Sequence, residues 1–105
     1  MSLTFATEER GGTTVVLLTG RIDRDAATAF EELAASTRGA SDLELVFDDV
    51  DYINSTGIAI IVGLLARARS RRVAVHATGL TPHYVHIFEI TRLSDFIEIV
   101  QPAGA

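Results

Sequence analysis

The stretch from Leu43 to Ala77 most narrows what this chain can become. A short apolar run, Leu43-Glu-Leu-Val-Phe47, precedes a long apolar segment of helical period from about Ser55 to Arg71. A second short run follows, Arg72 to Ala77, with Val73-Ala-Val75 at its centre. Strand, helix and strand in that order predict parallel strands joined by a right-handed crossover. Ahead of this unit, Leu3, Phe5 and Thr7 alternate with smaller or polar residues, Gly11-Gly12 marks a turn, and Thr13 to Thr19 forms the second arm of a hairpin. Gly20-Arg-Ile-Asp23 leads into a helix capped by Asp23, with Ala26, Phe30, Leu33, Ala34 and Thr37 as its inward stripe and Gly39 as its stop. Thr81-Pro82 opens a third helix carrying Val85, Ile87, Phe88 and Ile90, and Phe96 to Val100 closes as a short edge strand. The expectation is an α/β domain with a mixed, mainly parallel sheet over residues 3–100, followed by a flexible tail at 101–105.

The middle helix begins with two hydroxyl residues, Ser55 and Thr56. A helix N-terminus offers N–H groups without intrahelical partners and the positive end of the helix dipole. An oxygen placed there can cap the helix, and a phosphate there can be held by the same N–H groups. Ser55 and Thr56 are therefore plain caps or a covalent switch. Further along, Gly57, Ile61, Leu64, Leu65 and Ala68 fall in one arc, which is expected to bury against the sheet. Opposite lie Ala59, Gly63, Ala66 and Ser70, a stripe without bulk or charge. Glycine inside a helix costs roughly 1 kcal/mol relative to alanine, so Gly63 implies either a closely approaching partner or tight packing within the domain.

Composition removes several function classes. With 105 residues, 48% of them apolar, the chain can bury one sheet-and-helix core. It contains no cysteine, hence no disulfide frame and no thiolate zinc site. No stretch is long and apolar enough to span a bilayer and no basic-then-apolar signal opens the chain, so a cytoplasmic location without membrane insertion is expected. A net charge of -5 argues against nucleic acid as a partner. Ser55 lacks a Gly-x-Ser-x-Gly elbow and a histidine or acid placed to activate it. His83 and His86 stand three apart without an evident third ligand, and Asp48, Asp49 and Asp51 lack calcium-loop spacing. Arg67, Arg69, Arg71 and Arg72 complement the dipole at the end of the middle helix. Neither catalysis, nor a metal, nor a cofactor is expected.

Four segments together resemble a STAS domain of the anti-sigma factor antagonist family. They are Gly20-Arg-Ile-Asp23, Asn54-Ser55-Thr56-Gly57 with the apolar Ile58-Ala-Ile-Ile-Val-Gly63 behind it, Gly79-Leu-Thr-Pro-His-Tyr-Val-His-Ile-Phe88, and Leu93-Ser-Asp-Phe-Ile97. The resemblance implies the STAS fold, a mixed sheet of about five strands with three to four helices chiefly on one face. It also implies a partner switch. The unmodified domain binds an anti-sigma factor that is itself a serine kinase, and so frees a sigma factor. Phosphorylation at Ser55, with Thr56 as second choice, ends that binding, and a metal-dependent phosphatase of PP2C type restores it. Asp23, Asn54, Ser55, Thr56, Gly57, Ala59 and Gly63 are then the expected partner-binding residues, with Asp23 beside the phosphorylation site and Gly57 keeping access to it clear. The chain departs from the family at Asn54, where phosphorylated members mostly carry aspartate. STAS domains also serve as non-switching scaffolds or as modules of transport complexes, and that class stays open beside the switch.

Overall fold

A computed structural model describes residues 3–100, so the tail expected at residues 101–105 lies outside the described residues. Strands β1 (Leu3–Arg10) and β2 (Thr13–Ile22) form the hairpin. Gly11 and Gly12 turn it with φ of 60° and 90°, values that L side chains rarely adopt. A 3₁₀ turn, Arg24–Ala26, leads into α1 (Ala27–Ser36). Then follow β3 (Asp42–Ile53), α2 (Ser55–Ser70), β4 (Ala74–Thr78) and α3 (Pro82–Ile90). A second 3₁₀ turn, Leu93–Asp95, precedes β5 (Glu98–Ile99).

The five strands lie in the order β1-β2-β3-β4-β5, with the hairpin antiparallel and every later pair parallel. Each crossover advances in one direction, so right-handed connections set α1, α2 and α3 on one face. On that face Leu43 and Leu45 of β3 stand in register with Val75 and Ala77 of β4, and Leu45 also with Val16 of β2, while Phe47 follows on the same strand. They join Ile61, Leu64 and Leu65 of α2, Phe30 and Leu33 of α1, and Phe88 of α3 in a single core. The rings of Phe47 and Phe88 meet edge to face at 5.9 Å between centroids. The opposite face carries polar residues. Asp42, Glu44, His76, Thr78 and Glu98 alternate with the core positions of β3, β4 and β5 and bond to one another across the strands.

The structure bears out the inward stripe of α1 and the buried arc of α2, every member of which is buried. It corrects several boundaries. β3 runs to Ile53 rather than Phe47, and β2 continues through Gly20-Arg21 to Ile22 by shifting register. Gly39 does not stop α1, which ends at Ser36 with the Thr37 hydroxyl donating to the Leu33 carbonyl at 2.8 Å. At the end of α2, Arg72 sits in the left-handed region with φ of 60°. Its N–H donates to the Arg69 carbonyl and the Val73 N–H to the Ala68 carbonyl. That is a Schellman closure, made here without glycine, and it delays β4 to Ala74. Ile90 is 61% exposed and does not join the core; Tyr84 packs against it instead. Phe96 caps the second 3₁₀ turn, leaving only Glu98–Ile99 as the edge strand.

Candidate functional site

The ends of two parallel strands define the start of α2. Ile22 of β2 and Ile53 of β3 are register partners, so Asp23 and Asn54 leave the sheet side by side. The Asn54 N–H donates to the Ile22 carbonyl at 3.3 Å. Asn54 then caps α2, its Oδ1 accepting from the Gly57 N–H at 2.9 Å. Capping needs only a side-chain oxygen at that position, which asparagine supplies as well as aspartate does.

With Asn54 as cap, Ser55 and Thr56 become the first two residues of the helix. Both are exposed, and neither hydroxyl has a hydrogen-bond partner among the described residues. The cap of α2 is Asn54, not Ser55 or Thr56. Their N–H groups belong to the first turn, where no intrahelical acceptor exists, and lie at the positive end of the dipole. The site thus presents free hydroxyls beside anion-favouring backbone groups.

The other expected residues divide. Asp23 is half-buried and committed locally: Oδ1 accepts from the Asp25 N–H at 3.0 Å, and Oδ2 lies 3.4 Å from Arg21 Nε. The Arg21 guanidinium in turn covers the Tyr52 ring at 4.2 Å. Gly57 is buried, with Ile22 backbone where its β-carbon would stand. It lets α2 close onto β2 and presents no side chain to a partner. Ala59 and Gly63 are exposed, in line with Thr56, Ala66 and Ser70. A β-carbon on Gly63 would meet nothing within 4 Å, so packing within the domain does not explain this glycine.

Two hollows flank the first half of the stripe. One of about 200 Å³ lies between α1 and α2, lined by Phe30, Ile60, Gly63 and Arg67 among others. The other, about 270 Å³, lies between α2 and α3 and brings His83, Tyr84 and Ile87 beside Ser55. Sequence reasoning missed this second wall. Its anchor is the Tyr84 hydroxyl, which accepts from the Ile53 N–H at 3.0 Å across 31 positions of chain. No local pattern announces such a bond. His83 and His86 are both exposed, and no group of three or more metal-ligating side chains occurs among the described residues. Among the described residues no helix is long and apolar enough to cross a membrane.

Comparison with known proteins agrees with the fold. A family model described as "Mlab, STAS domain" matches residues 5–101. The anti-sigma-B factor antagonist of Listeria monocytogenes is 32% identical over 91 residues, covering 85% of this chain and 80% of that protein. Its counterpart in Bacillus subtilis is 29% identical over 85 residues, with 80% and 78% covered. An anti-sigma factor antagonist from Mycobacterium paratuberculosis superimposes with a TM-score of 0.78 at 21% identity, over 97% of this chain and 88% of that one. The phosphorylated form of the Bacillus cell fate determinant SpoIIAA superimposes with a TM-score of 0.68 at 17% identity, over 93% and 92%. The chain belongs to the STAS domain family, among the anti-sigma factor antagonists.

Proposed function

We propose that this protein binds an anti-sigma factor serine kinase through the exposed stripe of α2, releasing a sigma factor, and that phosphorylation of Ser55 ends the association. The observation that carries this reading is the free Ser55 hydroxyl, left without a structural task because Asn54 caps the helix. In the transfer, Ser55 Oγ attacks the γ-phosphorus of ATP, its proton passes to a base of the kinase, and ADP leaves. The product carries about -1.5 to -2 charges at neutral pH, and the first-turn N–H groups can receive them without unfolding the helix. At an interface fitted to a hydroxyl the same charge must be desolvated. A cost of about 3–4 kcal/mol weakens binding by roughly 10²- to 10³-fold. Asp23 and the small residues Ala59 and Gly63 would shape the contact, and Thr56 is the second acceptor. A PP2C-type phosphatase would reverse the modification. The protein acts here as substrate and binding module, without catalysis of its own.

The test is intact-mass analysis after incubation with the candidate kinase and Mg-ATP, together with a binding assay. One phosphate on Ser55, absent from Ser55→Ala and accompanied by loss of kinase binding, is the expected result. Ser55→Asp should stay folded and bind poorly. Tight binding without phosphate would leave a constitutive antagonist, with the neutral Asn54 as the residue to replace by aspartate next. Failure to bind any anti-sigma kinase would favour the scaffold or transport-module class instead.

A further inference from the structure

At its other end α2 faces the chain that follows α3 across a groove of about 440 Å³. Val62 and Leu65 of α2 form one wall, Leu93 and Phe96 the other, and Arg69 and Arg92 stand at the polar edge. The backbone builds this shape. Arg92, in the left-handed region with φ of 67°, ends α3 and folds Leu93–Asp95 into the turn that sets Phe96 opposite α2. Val62 and Phe96 remain 46% and 48% exposed, large apolar side chains that the domain itself leaves uncovered. Both volume and lining fall within the range of small-molecule sites, roughly 300–1,000 Å³ and mostly apolar with few polar groups.

The charges narrow the occupant. Arg92 is held by Asp95, Nε to Oδ2 at 3.0 Å. Arg69 lies over the Phe96 ring at 4.9 Å, and among the described residues no carboxylate pairs with it. Arg67, Arg71 and Arg72 make the same end of α2 basic, in a chain whose net charge is -5. An apolar trough with one uncommitted guanidinium complements an apolar chain ending in a single negative charge. The planar guanidinium fork matches a carboxylate, and its seat on the ring holds it in place. A phosphate dianion would call for a second free cation in the groove itself, and Arg92, the other arginine of its lining, is engaged by Asp95.

We propose that this groove binds a medium-chain aliphatic carboxylic acid, with its chain on Val62, Leu65, Leu93 and Phe96 and its carboxylate on Arg69. The proposal stands independently of Ser55. The full chain should be titrated with decanoate and followed by amide NMR, with decyl phosphate and decyltrimethylammonium in parallel. Saturable shifts confined to the groove, with decanoate the tightest and no response to the cation, are expected. Ala66→Trp, at an exposed groove position, should abolish them; Arg69→Gln should weaken decanoate about tenfold and Arg69→Lys less. Thermal melts would verify that each variant is folded. The proposal is overturned by equal binding of the cation, by tighter binding of decyl phosphate, by shifts that survive Ala66→Trp, or by no shift. An acidic amphipathic peptide that occupies the groove when decanoate does not would also overturn it.

Discussion

The carbonyl oxygen of Ile22 occupies the space that a β-carbon on Gly57 would require. The end of β2 thus packs closely against the first turn of α2, the turn that carries Ser55. A methyl group there cannot be met by a flexible side chain moving aside, because the obstacle is main chain. Gly57→Ala should therefore cost about 2–3 kcal/mol as α2 is pushed off the sheet. Urea unfolding checks this; an unchanged midpoint would show that the helix has room to move.

Gly63, six residues along the same helix, should respond in the opposite sense. Nothing would touch its β-carbon, so Gly63→Ala should stabilise the domain by about 0.5–1 kcal/mol. The same methyl should weaken binding of the anti-sigma partner by filling the hollow beside Phe30. Calorimetry of the complex, set beside the unfolding curve, separates the two effects. Higher stability with unaltered affinity would remove the stripe from the interface.

Tyr84→Phe deletes one oxygen and leaves the Ile53 N–H without its partner. An unmet, partly buried donor costs about 1–3 kcal/mol. The loss should appear in the unfolding midpoint and as faster hydrogen exchange at the Ile53 amide, two residues before Ser55. Exchange at that amide matching the parent would mean that water replaces the phenol fully.

On the helix-free face His76 bridges three strands, with Nε2 3.0 Å from Asp42 Oδ1 and Nδ1 2.6 Å from Glu98 Oε1. Burial alone would lower its pKa, but the hydrogen bonds to Asp42 and Glu98, together with their charges, outweigh burial and raise it above the ordinary 6.5. The folded state then holds the proton more tightly than the unfolded chain. The imidazolium's contribution is complete below pH 6.5 and fades as pH rises through the elevated folded value. Urea midpoints should fall over that interval for the parent and stay flatter in His76→Gln. Parallel curves would disprove the assignment.

How much of this was legible in advance depends on what kind of signal each feature leaves. The buried arc of α2 and the stripe of α1 follow from period alone, and the exposed face at Ala59 and Gly63 is its complement. The second half of β3 was hidden because Asp48, Asp49, Asp51 and Tyr52 are exposed there. β4 has already ended opposite Val46, so this stretch pairs only with β2 and needs no apolar alternation. The cap at Asn54 was obscured by two better-known hydroxyl candidates immediately after it, and local sequence ranks such neighbours poorly. Arg72 and Arg92 in left-handed conformation gave no warning, since glycine is the usual marker of that region. The groove at Phe96 depends on the second of these arginines and was invisible for the same reason.

The strand order has a consequence for how the protein is made. Each new strand pairs with the one synthesised just before it, and none must be threaded between two already in place. The sheet can therefore grow at one edge while translation proceeds, the hairpin serving as its template. Only the hairpin closes over a short turn; each parallel pair must wait for its crossover helix, so the docking of β3 on β2 and of β4 on β3, not the hairpin, should limit the rate of folding.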